Sequence, residues 1–350
     1  MPNPVPQPRL VPALLVFFLF AATGAAAETR AGGEIQGAVE WTKQDSPYIL
    51  VKDVVVPKGS TLTIREGVTV RCKPDITDDS GFNKFDVEFL VEGSLIVQGA
   101  AGDTVVFTSD SPTPRWTDWQ GIVVQNGGRA DIHAARIEFC NEGVRVFGGS
   151  VELTSSSIAG CYQYGARFTQ GTGVLDDMAI TSVGNAGGTG VGVYMERGSD
   201  VAIRNSFIVG VQNGVMWVRD AGGSMENTVV SNCTGVGVTA RNSSPTVTEC
   251  TVTANDIGLS VSAGAAPTVR NNNIFVNARS DLEISGYKEL TRLDFGGNWW
   301  GDDTVLGHVD GRVFDAMDDP EAGGVAILEP ILPEAYMRPS AADPKAGQKP

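Results

Sequence analysis

Histidine is almost absent from this chain, cysteine is sparse and positive charge is scarce. Only two His and five Cys occur in 350 residues, with 26 Lys and Arg against 41 Asp and Glu. Two imidazoles, His133 and His308, and a few scattered methionines are too few to build a copper centre of soft or imidazole ligands. No CxxC pair and no Cys/His cluster of zinc spacing occurs. The net charge of −15 argues against nonspecific nucleic-acid binding, because such a surface repels phosphate. Nucleotide-cradling glycine loops, HExxH and the GxSxG elbow are missing as well. Beyond the N-terminal region no apolar run is long enough for a membrane-spanning helix, and no stretch has the periodicity of a long amphipathic helix.

What is present is a repeat. Branched apolar residues recur at Ile137, Ile158, Ile180, Ile208, Val230, Val252 and Ile274, at intervals of 21, 22, 28, 22, 22 and 22 residues. A unit this short cannot bury its own apolar face and is stable only when stacked on its neighbours. Other columns keep the same register. Three positions before the marker stand Asn205, Asn227, Glu249 and Asn271, and three after it stand Cys140, Cys161, Val183, Val211, Cys233, Asn255 and Asn277. The segments around each marker are brief and alternating, separated by Gly, Asn, Ser or Pro, which is a strand-and-turn signature. The expected fold is therefore all-β, a single-stranded right-handed parallel β-helix of about 22 residues per coil. The 43 glycines suit its sharp corners, and its β-branched residues suit strands buried on one face.

The first 27 residues read as a signal peptide: Arg9, an apolar run from Leu10 to Ala22, then Ala25, Ala26 and Ala27. Export to the periplasm or beyond follows, and the lack of cysteine before Cys72 argues against a lipid anchor. Residues 28–332 are assigned to the β-helix, and residues 333–350, with four prolines, to a flexible tail. A distinct closing segment is expected after the repeats, from Gly297-Asn-Trp-Trp-Gly through the acidic stretch Asp310 to Asp319. Cys140 and Cys161 share a column in adjacent coils, so their Cα atoms should lie about 4.8 Å apart, within disulfide range, but with parallel Cβ vectors. A stacked thiol pair is expected there ahead of a disulfide.

The opening VPKGSTLTI, the coils VEGSLIVQG and VVFTS, the repeats and the ending NWWG resemble the exported bacterial right-handed β-helix proteins of the pectate-lyase-like superfamily. The resemblance implies the fold more than an activity, since that superfamily holds lyases, hydrolases, epimerases and members without chemistry. Hydrolysis in such a fold would need paired carboxylates on neighbouring coils, and no stacked pair stands in the repeats. Catalytic residues are therefore not assigned.

A binding face is the sharper expectation. If Gly143, Gly165 and Gly192 form one corner, the next strand sends Val144, Ala166 and Val193 inward and Arg145, Arg167 and Tyr194 outward. Met216 continues that row, while Glu196, Arg219 and Arg241 lie slightly further along. Arg145, Arg167, Tyr194 and Glu196 are the candidate ligand residues, suited to the carboxylates of a polysaccharide or cell-surface glycan. Two guanidinium groups one strand apart should repel unless an anion bridges them. The same row is also explained by arginines that merely blunt a solvated sheet face. The expected function is thus an exported scaffold or glycan-binding protein, with a polysaccharide lyase on the same face as the alternative. No cofactor is required. Calcium is the one ion that the acid-rich loops around Asp75, Asp78, Asp79 and Asp86, or Asp302, Asp303, Asp310, Asp315, Asp318 and Asp319, could hold. Trp116, Trp119, Trp299 and Trp300 suit either end capping or stacking on sugar.

Overall fold

Every marker residue pairs with its equivalent one coil away. In the computed structural model, which describes residues 28–77, 81, 83–184, 190–302 and 305–336, Ile137 stands beside Ile158, Ile158 beside Ile180 and Ile180 beside Ile208. The column continues through Val230 and Val252 to Ile274. All seven are buried. Strands run from Thr29 to Ile327, and every strand pairing in the coils is parallel. One flank of the rod is a ten-stranded parallel sheet from Ala38–Trp41 to Thr268–Arg270, and the other two flanks join into one larger sheet. This is a parallel β-helix, whose core is the column interior. The expected leader at 1–27 and residues 337–350 of the expected tail lie outside the described residues. The tail's first residues, 333–336, run back to the coils, where the Tyr336 N–H donates to Asn273 Oδ1 at 2.7 Å and its carbonyl accepts from Asn273 Nδ2 at 3.0 Å.

The corners explain the flanking columns. Three positions before each marker, Ala134, Ser155, Asp177, Asn205, Asn227, Glu249 and Asn271 all have positive φ, between 45° and 58°. Two positions after it, Phe139, Gly160, Ser182, Gly210, Asn232, Ala254 and Val276 also have positive φ, between 53° and 65°. Each marker therefore sits in a short strand between two left-handed corners, and asparagine recurs there because it tolerates that region better than other non-glycine residues. The Gly143, Gly165 and Gly192 column has a different role from the one glycine plays at such corners. A Cβ on Gly165 would lie 2.6 Å from the Gly192 carbonyl oxygen and 2.7 Å from Ile180 Cγ2. The isoleucine column leaves room for nothing larger than hydrogen, and close approach, not positive φ, demands glycine there.

The five cysteines are buried and free, and Cys140 Sγ contacts Cys161 Sγ at 2.9 Å. Burial pushes the Cys72, Cys140, Cys233 and Cys250 thiols upward, the last two to about 12. They act as small apolar fillers.

The far end is closed by residues after the last full coil. Strand Thr291–Asp294 pairs with Gly324–Ile327, and a short helix, Leu306–Asp310, lies between them in the chain. Trp300 is fully buried and Trp299 nearly so. Trp119 is also fully buried, within the rod between the strands Val105–Ser109 and Gly121–Gln125, and its Nε1 donates to the Glu138 carbonyl at 2.9 Å. These three rings pack the rod and are closed to sugar stacking, while Trp116 is half-buried.

Candidate functional site

The outward row forms as the alternation requires. Arg145 pairs with Arg167, Arg167 with Tyr194, and Tyr194 with Met216, followed by Thr239, Ser260, Glu283 and Phe314 on successive strands. Strand pairing holds these side chains in one file, about 4.8 Å apart per step.

The neighbouring residues change the meaning of the row. Glu142 stands immediately before Gly143 at the start of the strand Glu142–Phe147 and is 3% exposed, and Glu196 is equally buried. Arg145 Nη1 lies 3.4 Å and Arg167 Nη1 lies 3.7 Å from Glu142 Oε1. Arg167 Nη2 donates to Glu196 Oε1 at 3.2 Å, and Thr169 Oγ1 donates to the same oxygen at 3.1 Å. Arg219 Nη1 donates to Glu196 Oε2 at 2.9 Å, with Arg197 Nε 3.7 Å from that atom. The anion expected to bridge Arg145 and Arg167 is thus built into the protein as Glu142. Mutual repulsion of the two guanidinium groups does not call for an external ligand.

Tyr164 and Tyr194 complete the floor. Their ring centroids lie 5.3 Å apart, and Arg167 Cζ sits 5.0 Å and 5.7 Å from them. Side-chain exposure separates floor from rim: Arg145 is 16% and Arg167 23% exposed, whereas Arg197 is 59% and Arg219 63% exposed. Beside the floor, Tyr194, Met216, Val218, Arg219, Arg241 and Asn242 line a depression of about 280 Å³. Five guanidinium groups, against Glu142, Glu196 and an Asp220 that accepts from Asn242 at 3.0 Å, leave this patch positive on an otherwise acidic rod.

The two carboxyls are tuned in opposite directions. Burial pushes Glu142 above the usual carboxylate range, and Arg145 and Arg167 only partly offset it. Burial also pushes on Glu196, but hydrogen bonds from Arg167 and Thr169, with the charges of Arg167 and Arg197, outweigh it and hold Glu196 below that range. Burial is likewise the main cause that raises the Tyr164 and Tyr194 phenols. The sequence reading singled out Arg145, Arg167, Tyr194 and Glu196, and the structure brings all four together. It missed Glu142, Tyr164 and Arg197. Glu142 and Tyr164 were marked in the sequence by standing just before Gly143 and Gly165, and they pair with each other at the start of adjacent strands.

The acid-rich loops are occupied with their own structure. Arg115 bridges Asp75 and Asp118. Asp315 accepts from the backbone N–H groups of Met317 and Ala326, and Asp319 caps the turn at Pro320–Ala322. Asp78, Asp79 and Asp303 lie outside the described residues. Among the described residues no group of three or more His, Cys, Asp or Glu could hold a metal ion.

The chain is a right-handed parallel β-helix protein. Residues 115–274 match the profile described as a right handed beta helix region, and residues 33–164 match that of a pectate-lyase like beta helix domain. The fold is similar to that in the crystal structure of the periplasmic alginate epimerase AlgG, with a TM-score of 0.56 and 14% identity over 84% of this chain and 77% of that one. At such identity the likeness is one of fold. No curated protein matches the sequence. No helix among the described residues is long and apolar enough to cross a membrane.

Proposed function

We propose that this protein is an exported glycan-binding β-helix and that the face around Arg167 takes an anionic polysaccharide. The observation that carries the reading is the positive island: Arg219 and Arg241 rim a depression, with Arg197 exposed on the other side of Glu196, beside a floor that is already neutralised. Exposed guanidinium groups at a rim favour a carboxylate ligand by charge and by two-pronged hydrogen bonding. The two tyrosines and Met216 offer apolar surface to the faces of sugar rings.

Binding is favoured over catalysis because both carboxylates are engaged below the surface. Glu196 is held by three arginines. Glu142 Oε2 has no hydrogen-bond partner but is sealed from solvent, out of reach of a bound sugar. Lyase chemistry on this face would need an arginine as the proton acceptor, and Arg145 and Arg167 are each ion-paired with a buried carboxylate. Export rests on the leader pattern in residues 1–27 and on the fold shared with a periplasmic protein.

The experiment is a titration of the leaderless protein with pectate, alginate and a neutral glucan. The reading expects pectate or alginate to bind and the interaction to weaken steeply with salt. Equal or absent binding to all three would remove it. The structure also selects the variants. Removing Arg145, Arg167 or Arg219 takes a partner from buried Glu142 or Glu196, so Arg241→Ala is the cleanest probe, and Arg219→Ala, at a mostly exposed residue, is the next.

A further inference from the structure

The outward row does not end at the basic island. From Tyr194 it runs five strand steps, about 24 Å at sheet spacing, through Met216, Thr239, Ser260 and Glu283 to Phe314. Thr239 and Ser260 are small, so the sheet between the two ends is left shallow. At the closing end Arg279, Ser280, Glu283, Arg312, Phe314 and Asp318 line a recess of about 410 Å³.

The chemistry of this recess differs from that of the island. Arg279 Nη2 is paired with Asp256 Oδ2 at 3.0 Å, and its Nε lies 3.5 Å from Glu283 Oε1. Ser280 Oγ donates to the same Glu283 oxygen at 2.8 Å. Arg312 Nε lies 3.1 Å from Asp281 Oδ2, a carboxylate 1% exposed that is itself fixed by Asn277 at 2.8 Å, and Arg312 Nη2 donates to the Trp300 carbonyl. Each guanidinium is therefore anchored from behind by a carboxylate, and Glu283 and Asp318 add further negative charge at the wall. No positive charge is left over for a uronate, and an anion would meet acids on two sides. Phe314, in contrast, is 44% exposed at the end of the row and presents an apolar ring face. Anchored polar groups beside an open aromatic ring suit the hydroxyls and the C–H face of an uncharged pyranose.

From this we infer that the closing-end recess is a second subsite, specific for a neutral sugar, and that the natural ligand is an acidic heteropolysaccharide whose charged and uncharged units lie a few residues apart along the rod. The heteropolymer part rests on the anionic reading of the island, whereas the neutral subsite stands on its own residues.

The test uses the leaderless chain with cellohexaose, xylohexaose and mannohexaose as neutral probes and hexagalacturonate as the anionic one, followed by calorimetry or ligand-observed NMR. At least one neutral probe should bind, with an affinity unchanged between about 0.05 M and 0.5 M salt. Phe314→Ala should weaken that binding about tenfold or more and leave hexagalacturonate within about twofold. Phe314→Tyr should restore it, because the ring face is kept, and its unchanged melting temperature excludes a folding defect. Failure of all three neutral probes at about 10 mM, or undiminished neutral binding by Phe314→Ala, overturns the subsite. Neutral binding without hexagalacturonate binding supports the subsite while refuting the island reading and the heteropolymer with it.

Discussion

Glu196→Gln should destabilise the protein at neutral pH and cease to matter in acid. The carboxylate is 3% exposed and holds Arg167 at 3.2 Å, Arg219 at 2.9 Å and Thr169 at 3.1 Å. Breaking a buried ion pair costs about 3–5 kcal/mol. Glutamine keeps one acceptor oxygen for Arg167 and Thr169, and the Arg219 contact is largely solvent-screened, so the expected loss is about 2 kcal/mol. The folded carboxyl is held below its ordinary range, so its stabilisation is fully present above the unfolded value and is lost as pH falls through the folded one. Urea denaturation of wild type and variant at pH about 7 and about 3 reads both effects as shifts in midpoint at constant slope. A variant as stable as wild type at neutral pH, or a gap that persists in acid, would refute the assignment of Glu196 as the ionised anchor of the floor.

Glu142→Gln should behave in the opposite sense. Its folded carboxyl is raised by burial, so the charge carries a penalty that sets in as pH rises above the unfolded value. The variant should equal or exceed wild type in stability at neutral pH and lose that advantage in acid, and a loss of more than about 1 kcal/mol at neutral pH would contradict this. Gly165→Ala should cost about 2 kcal/mol by overpacking, because its Cβ would meet the Gly192 carbonyl and Ile180 at 2.6 and 2.7 Å. An unchanged melting temperature would show that the coils can spread. Val230→Asp should be severe, since it places an unpaired charge in the fully buried marker column, and thermal unfolding at wild-type temperature would reject that burial.

The fold was legible because one chemical requirement repeats. A branched side chain must fill the same interior position in each coil, so Ile137 to Ile274 declare the period without any long-range information. The asparagines before the markers were visible as a column, but their role as left-handed corners is a backbone property that composition does not carry. The outward file of Arg145, Arg167 and Tyr194 followed from strand alternation alone. The distinction between floor and rim did not. Whether an outward arginine is buried depends on neighbours from three coils, and Glu142 and Glu196 come from strands two coils apart. Phe314 was also hidden, because the strand Val313–Phe314 is only two residues long and lies outside the repeat.

The measurement closest to the central claim is pectate affinity as a function of salt for wild type and for the double variant Arg219→Ala, Arg241→Ala. Both residues rim the depression, and Arg219 is mostly exposed although it donates to Glu196, so with a melting temperature that shows the double variant folded, their removal should lower affinity about tenfold or more and flatten the salt dependence. Wild-type affinity with an undiminished salt slope in the double variant would contradict the account, since the positive rim would then have no part in holding the polymer.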